Sequence, residues 1–438
     1  MQPQVHAVRC LFLAAALLLT GCGYRAPLQK TVIPEAEDPA FGIIRPAYRE
    51  LAATVAARTG LPPTAGNQVH LIPVSTDRLE WMQEQLKQAQ KSIYIDLYRF
   101  RLDSCGMLIY DILAERARAG VDVRIILDKG ANRSRDLKAF RELEKTGAQV
   151  RIFHFPVFVA DYILPPMATM HRDHRKIILI DGELAYLGGR NLALYYFNQW
   201  KDLDVCYSGE AVAQITDVFQ ENWARVAPDT PAVSREAVPG APERIPAPEA
   251  VRHFSGKTVQ IIPESPSDTL LPLRDAFELV LDQAKDYFYF QSPYLPPPES
   301  TLQKLKAAAR RGVDVRWMVP AKNDVFVQKW MGEYLYKGFL KSGIRVFEWE
   351  GSMIHTKLYV SDDYITCIGS ANADNLSFFI NYEVSSIIYD EQVACCARQI
   401  FLEDQGHCRE IKMADTDAWD ALRLLRNWLS MAIGHAVG

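Results

Sequence analysis

Two histidine–lysine pairs lie at the centre of a block that occurs twice in the chain. Each copy has the same spacing: a histidine, a lysine two residues later, an aspartate five residues after the lysine, then a glycine, a glycine or serine, and an asparagine. The members are His174, Lys176, Asp181, Gly188, Gly189 and Asn191 in the first copy, and His355, Lys357, Asp362, Gly369, Ser370 and Asn372 in the second. Chance could produce one such motif, but two in register indicate a duplicated functional unit.

These residue types suit a reaction at a phosphodiester. Histidines that titrate near neutral pH, ammonium groups and amides can together bind a tetrahedral anion and stabilise its transition state. One histidine can attack phosphorus to give a phosphohistidine, while the other protonates the departing alcohol and later activates the incoming one. Each needs an acceptor on its other ring nitrogen, and Asp204 and Glu383 are the candidates. No metal or cofactor is expected, because the lysines supply positive charge.

Strand parity divides the motif into two groups. Apolar residues follow each lysine and predict buried strands over 177–180 and 358–360. On a strand, residues i and i+2 share a face, so the histidine and lysine of each copy project together. Asp181 and Asp362 have the opposite parity and stand at turns, so within the site we expect them to fix the strand. The small residues at 188–189 and 369–370 should let the backbone approach a ligand, which makes them predicted substrate-binding residues.

Both halves of the chain carry the same order of elements. Strand, helix, strand, helix and strand precede each motif, and Gly-Val-Asp-Val-Arg occurs at 120–124 and again at 312–316. The pattern predicts an α/β fold with two similar α/β/α sandwich halves, mostly parallel sheets and one shared active site. The halves are assigned to 67–226 and 251–410, with a Pro-rich linker at 227–250 and a terminal helix within 411–438.

One insertion makes the two copies unequal. Gly147 lies 27 residues before His174, whereas Gly343 lies only 12 before His355. The extra residues include an apolar, aromatic loop at 155–167 that could contact acyl chains or fill the core. We therefore expect the site to have a donor side and an acceptor side.

The N-terminus predicts export and a lipid anchor. Arg9 precedes a short apolar run and then Leu-Thr-Gly-Cys, which resembles a bacterial lipobox. Residues 1–21 are the expected signal peptide, Cys22 the lipid-modified residue, and 22–66 a tether with a helix over 45–59. The expected location is the periplasmic face of the cell envelope, on the outer membrane. The net charge of −4 over 438 residues argues against a nucleic-acid partner.

The duplicated block resembles the HKD motifs of the phospholipase D superfamily, over about residues 69–390. Within it, the segments at 171–177, 188–191, 354–357, 369–372 and 377–383 look like the bacterial cardiolipin synthase branch. The resemblance implies transfer of a phosphatidyl group through a phosphohistidine to an alcohol such as phosphatidylglycerol. It also implies that His174 is the nucleophile and His355 the general acid and base, a distinction that the spacing alone does not make.

Other interpretations stay open at this stage. A hydrolase that releases phosphatidic acid has the same motif, and a periplasmic phosphodiesterase or nuclease is a further alternative. Arg190 could contact phosphate or lie on the surface. The terminal helix over 419–433 could dock on the core or lie on a membrane. The expected partners are phospholipids and, through Cys22, the membrane; a monomer should suffice because both motifs lie in one chain.

Overall fold

The computed structural model describes residues 39–154, 171–226, 247–266 and 270–437. The predicted signal peptide, the lipid anchor Cys22, the apolar loop at 155–167 and most of the linker at 227–250 lie outside these ranges.

The first half alternates strands and helices, as its sequence pattern predicts. Its strands are β1 (Thr64–Ile72), β2 (Ser92–Leu97), β3 (Asp122–Asp128), β4 (Gln149–Phe153), β5 (Lys176–Ile180), β6 (Leu184–Gly188), β7 (Trp200–Lys201) and β8 (Asp204–Ser208). The helices are α1 (Pro39–Ile43), α2 (Arg49–Thr59), α3 (Ser75–Gln88), α4 (Ser104–Arg118), α5 (Ser134–Leu143), α6 (Leu194–Asn198) and α7 (Glu210–Arg225). Short 3-10 turns cover Pro46–Tyr48 and Glu144–Thr146.

The second half repeats this order. Its strands are β9 (Arg252–Glu264), β10 (Tyr287–Gln291), β11 (Asp314–Pro320), β12 (Arg345–Trp349), β13 (Met353–Ile354), β14 (Leu358–Ser361), β15 (Ile365–Gly369), β16 (Glu383–Tyr389) and β17 (Cys408–Ile411). The helices are α8 (Pro272–Gln283), α9 (Glu299–Arg310), α10 (Phe326–Lys341), α11 (Glu391–Gln405), α12 (Met413–Asp417) and α13 (Ala421–Val437), with a π-helical turn at Leu376–Ile380. The prediction of two similar α/β halves is confirmed.

The two halves share one sheet. Its strand order is β17-β12-β11-β10-β14-β15-β16-β9-β1-β8-β6-β5-β2-β3-β4, and β7 and β13 form a separate pair. Strand β9 pairs with β1 of the first half and β16 of the second, so the sheet continues across the boundary between the halves. Apolar side chains on both faces of the sheet pack under the helices.

The expectation that the sheets are mostly parallel is wrong in strand direction. Only the triplets β2-β3-β4 and β10-β11-β12 are parallel, and the other pairs in the large sheet are antiparallel. The parallel strands are joined by crossover helices, whereas β5–β6 and β14–β15 are hairpins closed by tight turns, and such turns require antiparallel neighbours.

The motif aspartates close those hairpins. Asp181 and Asp362 adopt left-handed φ values of 57° and 50°. The Asp181 carboxylate accepts hydrogen bonds from three successive backbone N–H groups at the start of β2, and Asp362 does the same at the start of β10. The scaffold role that strand parity predicts for both residues agrees with these contacts.

The predicted N-terminal tether is docked on the second half from residue 39 onwards. The expected helix is present as α2, and β1 already begins at Thr64. Tyr48 stacks on Tyr364 with ring centroids 5.2 Å apart, and Leu51 and Val55 are fully buried beside α8. Apolar side chains recur through this segment, which explains why it packs against the protein.

The terminal helix α13 docks against α10. The buried carboxylate of Glu333 binds Arg423, Arg426 and Asn427. Leu422, Leu425, Trp428 and Leu429 of the same helix are exposed. Within the described ranges, no helix combines the length and the apolar character needed to cross a membrane.

Candidate active site

The two motif histidines are held in place by backbone contacts with the opposite half. In the first half, the His174 N–H donates to the carbonyl of Tyr382 at 2.9 Å. In the second, the His355 N–H donates to the carbonyl of Lys201 at 2.7 Å, where β7 pairs with β13. Each of these carbonyls belongs to the residue directly before an acidic residue of the other half, Glu383 or Asp202.

Those acidic residues bind the imidazoles. The Nδ1 atom of His174 lies 2.8 and 3.0 Å from the two Glu383 oxygens, and Nδ1 of His355 lies 2.9 Å from Oδ2 of Asp202. With Nδ1 engaged, Nε2 of each ring is left for the substrate. The prediction for Glu383 agrees with this contact, but the partner of His355 is Asp202 and not Asp204. Asp202 and Glu383 each lie eleven residues after the motif asparagine, and this common offset could have identified Asp202 from the sequence.

Asp204 has a structural environment instead. Its carboxylate forms ion pairs with Arg190 and with Arg78, whose Nε lies 2.8 Å from Oδ2, and all three side chains are buried. Arg190 is therefore neither a surface residue nor a residue of the cavity wall. The predicted partner, Asp204, lies on strand β8, whereas Asp202 lies just before that strand, beside β7, and it is Asp202 that contacts His355.

The anion opposite His174 is stabilised by two hydroxyl groups. Ser370 donates to one oxygen of Glu383 and Ser377 donates to the other at 2.7 Å. Burial alone would raise the pKa of Glu383, but His174, Lys176 and Ser370 outweigh it, so that this pKa lies below its usual value. An ionised Glu383 holds the proton of neutral His174 on Nδ1 and leaves a lone pair on Nε2.

Burial keeps both histidines neutral. It lowers the pKa of His174 to about 4, although Glu383 offsets part of the effect of burial, and Lys176 adds a smaller lowering. Burial followed by the field of Lys357 and Lys176 lowers the pKa of His355 well below its ordinary value. Both imidazoles can therefore act as a nucleophile or a base near neutral pH.

The lysines lie beneath the histidines. Each Nζ donates to the backbone carbonyl of the histidine in its own motif, at 2.6 Å for Lys357. Burial lowers the pKa of Lys176 to about 7 and that of Lys357 to about 8. The charge of two buried ammonium groups favours the entry of a phosphate anion.

The two motif asparagines are not equivalent. The Asn191 amide donates to the Tyr196 hydroxyl at 2.8 Å and accepts from the Arg99 N–H at 3.0 Å. The Asn372 side chain is buried, lines the cavity, and has an Oδ1 without a hydrogen-bond partner in the described part of the chain. Asn191 is thus engaged by Tyr196 and the Arg99 backbone, whereas the Asn372 amide faces the cavity.

The small motif residues make room for protein atoms. A Cβ on Gly188 would lie 2.2 Å from Asp204, and one on Gly189 would lie 2.8 Å from both Asp202 and Lys357. The Gly369 position is similarly closed by Ser385. None of these residues, nor Ser370, lines the large cavity, whereas Gly369 lines a smaller one with Lys357 and Asn372. The glycines allow the carboxylates and the sheet to come close, and a role of all four residues in substrate binding stays a prediction.

Both histidines open into one cavity of about 340 Å³. Rings surround them, with Tyr98 edge-on to His174 at 4.8 Å and Tyr196 edge-on to His355 at 5.4 Å. The lining consists of Tyr98, Arg99, Arg172, His174, Asn191 and Tyr196 from the first half, and Tyr294, Asp324, Val325, Gln328, His355, Asn372, Asp374, Leu376 and Asn381 from the second. The first half thus supplies both arginines of the wall, and the second half supplies both carboxylates and three of the four amides.

Comparisons with known proteins agree with this architecture. The family model described as "Cardiolipin synthase, PLD-like domain" matches residues 82–223 and 279–405. The chain is 30% identical over 364 residues to a cardiolipin synthase of Listeria welshimeri, covering 82% of this chain and 73% of that protein. It is also 30% identical to cardiolipin synthase 1 of Staphylococcus epidermidis, covering 82% of this chain and 71% of the relative.

A solved structure has the same fold at lower identity. The phosphatidylserine synthase of Haemophilus influenzae superposes with a TM-score of 0.68 and 14% identity, over 90% of this chain and all of that chain. The family match over more than half of the sequence and the 30% identity to the Listeria welshimeri protein show that the chain belongs to the phospholipase D-like family of cardiolipin synthases.

Proposed function

We propose that the protein transfers the phosphatidyl group of one phosphatidylglycerol to the free hydroxyl of another, releasing glycerol and forming cardiolipin. The class of enzyme, a phospholipase D-type phosphatidyltransferase, follows from the family. The choice of lipid rests on the relatives, which are cardiolipin synthases. One observation carries the mechanism: two neutral imidazoles line one cavity, each held on Nδ1 by a carboxylate of the opposite half.

In the first step, Nε2 of His174 attacks the phosphorus of the donor lipid. The bond from phosphorus to the glycerol headgroup breaks, and the departing oxygen takes a proton from His355. Glycerol leaves, and the phosphatidyl group stays on His174 as a phosphohistidine. Glu383 stabilises the positive charge that the His174 ring acquires, because its ionised carboxylate faces Nδ1 at 2.8 Å.

The second step reverses the roles. His355, now neutral, accepts the proton of the incoming hydroxyl, and that oxygen attacks phosphorus. The bond to His174 breaks, and its lone pair returns to Nε2. His355 regains the proton that it needs for the next donor, with Asp202 opposite its other nitrogen, so acid and base catalysis alternate on one residue.

Charge and hydrogen bonds steady the phosphate in both steps. Lys176 and Lys357 lie below the histidines, and their charge opposes that of the phosphodiester. Asn372 lines the same cavity, and its NH2 group can donate to the phosphate oxygens. A bound anion offsets the field of the lysines, which favours protonation of His355 before the leaving group departs.

We also propose that the protein is anchored through lipidated Cys22 on the periplasmic side of the outer membrane and acts as a monomer. The lipobox-like sequence supports the anchor, and the presence of both motifs in one chain supports the monomer. Cys22→Ala should abolish the lipid adduct in mass spectra and move the protein out of the membrane fraction. An unchanged distribution would contradict the anchor without affecting the chemistry.

Lipid mass spectrometry tests the proposed reaction. Purified protein is incubated with phosphatidylglycerol, with phosphatidylethanolamine, and with both. Cardiolipin should form wherever phosphatidylglycerol is present, and His174→Ala and His355→Ala should each abolish it. His253→Ala, on an exposed histidine away from the cavity, is the matched control. Phosphatidic acid as the main product would indicate a hydrolase, and no lipid product would contradict the proposal.

A further inference from the structure

One arginine in the cavity wall has no carboxylate partner in the described ranges. Nη1 of Arg99 donates to the Tyr195 hydroxyl at 2.7 Å, and Nε donates to the carbonyl of Ala131 at 3.3 Å. Both acceptors are neutral. The side chain is partly buried beside the cavity, so its charge is partly removed from water without a matching anion.

Neighbouring arginines differ in this respect. Arg172, in the same wall, is neutralised by Asp128, whose oxygens lie 3.1 and 3.2 Å from its Nε. Arg101 lies 3.6 Å from a carboxylate oxygen of Asp136. Burying a charge costs free energy unless an opposite charge compensates it. The exception at Arg99 therefore points to an anion that arrives with the substrate.

Arg99 is linked to both histidines of the cavity through aromatic rings. Its guanidinium is 5.8 Å from the centre of the Tyr98 ring, whose edge meets His174. On the other side, its partner Tyr195 packs on Tyr196 at 4.5 Å, and Tyr196 meets the ring of His355. A group bound by Arg99 would thus lie beside the reacting phosphodiester and in the same cavity.

We propose that Arg99 binds the phosphate of the acceptor lipid and so favours an anionic phospholipid over a neutral alcohol. This inference rests on the proposed function. When the hydroxyl of phosphatidylglycerol enters beside His355, its own phosphate is one glycerol unit away from the phosphohistidine. The planar guanidinium can donate two parallel hydrogen bonds to phosphate oxygens, whereas free glycerol offers it no charge.

A competition experiment isolates this role. The full-length protein is given phosphatidylglycerol together with isotopically labelled glycerol, and two products are measured: cardiolipin, and phosphatidylglycerol that has gained the label. Both arise from one intermediate, so their ratio is independent of enzyme amount and of the first step. Arg99→Gln should lower the ratio of cardiolipin to labelled lipid at least about tenfold, as expected for losing a charge-assisted bond.

Two further variants define the outcome. Arg99→Lys keeps the charge but cannot donate two parallel hydrogen bonds, so it should give an intermediate ratio of cardiolipin to labelled lipid. Arg101→Gln should leave the ratio of the wild type. An unchanged ratio in Arg99→Gln overturns the inference, because both acceptors would then use the residue equally or not at all. A wild-type protein that labels phosphatidylglycerol but makes no cardiolipin contradicts the proposed function instead.

Discussion

At the scale of single residues, the site combines neutral bases with cations of unusually low pKa. Desolvation disfavours charge on both kinds of group, so burial shifts histidine and lysine in the same direction. Both imidazoles are therefore neutral, and His174 gains a proton only near pH 4. The lysines beside them lose their charge near pH 7 to 8. The substrate anion and the lysine charge therefore support each other.

The pH dependence of kcat/KM follows from these values. Lys176 and Lys357 have lowered pKa values of about 7 and 8, so their charge is present at low pH and is lost as the pH rises through that range. On the acid side, His174 gains a proton near pH 4 and loses its nucleophilic lone pair. We expect a bell-shaped profile between these limits, because kcat/KM reports on the free enzyme. A profile that stays flat from pH 6 to 10, with the fold intact by circular dichroism, would contradict the role of the lysines.

The carboxylates behind the histidines give a second prediction at this scale. Asp202→Asn and Glu383→Gln should each lower kcat at least about 100-fold with little change in KM, because an amide can hold the wrong tautomer and stabilises the charged ring poorly. Asp204→Asn is the contrasting variant. It leaves two buried arginines without their anion and should lower the free energy of unfolding by about 3 kcal/mol. Equal effects of Asp202→Asn and Asp204→Asn on kcat would contradict the claim that Asp202 orients His355 while Asp204 has a structural role.

At the scale of elements, two contacts position each motif strand, β5 or β14. One is at its hairpin turn and the other is beside its histidine. The hairpin turn places an aspartate where its carboxylate receives three backbone N–H groups from a neighbouring strand. The histidine at the other end of the strand is then fixed by the opposite half. Hence a residue within the motif can be essential for position without touching substrate.

The contact that Asp181 makes at the hairpin turn can be tested by measuring the free energy of unfolding rather than turnover. Asp181→Ala removes the acceptor of the N–H groups of residues 90–92, and we expect the free energy of unfolding to fall by about 2 kcal/mol or more. Asp181→Asn keeps one acceptor oxygen and should cost less. Urea unfolding of the full chain measures both. If Asp181→Ala unfolded like the wild type yet lost turnover about 1,000-fold, the aspartate would belong to the chemistry.

The repeated features of the site could be predicted from the sequence, whereas the contacts between the two halves could not. Identical offsets located His174 and His355, and parity separated them from Asp181 and Asp362. The partner of His174 is 209 residues away and that of His355 is 153 away, so local spacing contains no record of which half supplies each carboxylate. Alternating strands and helices also predict parallel sheets. The two motif hairpins do not follow this prediction, because their tight turns join antiparallel strands.

At the scale of the whole molecule, duplication and fusion place a complete site in one chain. The continuous sheet sets the two halves in a fixed relation, and the reciprocal contacts at Lys201 and Tyr382 bring the histidines together. The halves are unequal: Asn191 is engaged by Tyr196 and the Arg99 backbone, while the Asn372 amide faces the cavity.

A mixing experiment tests whether one chain is sufficient. Purified His174→Ala and His355→Ala proteins, unfolded together and refolded, should give no activity, because every chain lacks one of its own two histidines. Wild-type protein refolded in the same way is the control for recovery. Restored turnover in the mixture would mean that histidines from two chains can form one site.

The most direct test of the central claim is to identify the residue that carries the phosphatidyl group. Protein turning over phosphatidylglycerol is quenched in alkali, digested, and examined by peptide mass spectrometry. With isotopically labelled phosphatidylglycerol, the proposed mechanism predicts a labelled phosphatidyl adduct on His174, and the label should leave His174 for cardiolipin when an excess of unlabelled phosphatidylglycerol is added. An adduct on His355 in place of His174, or cardiolipin formation with no adduct at any time, would contradict it.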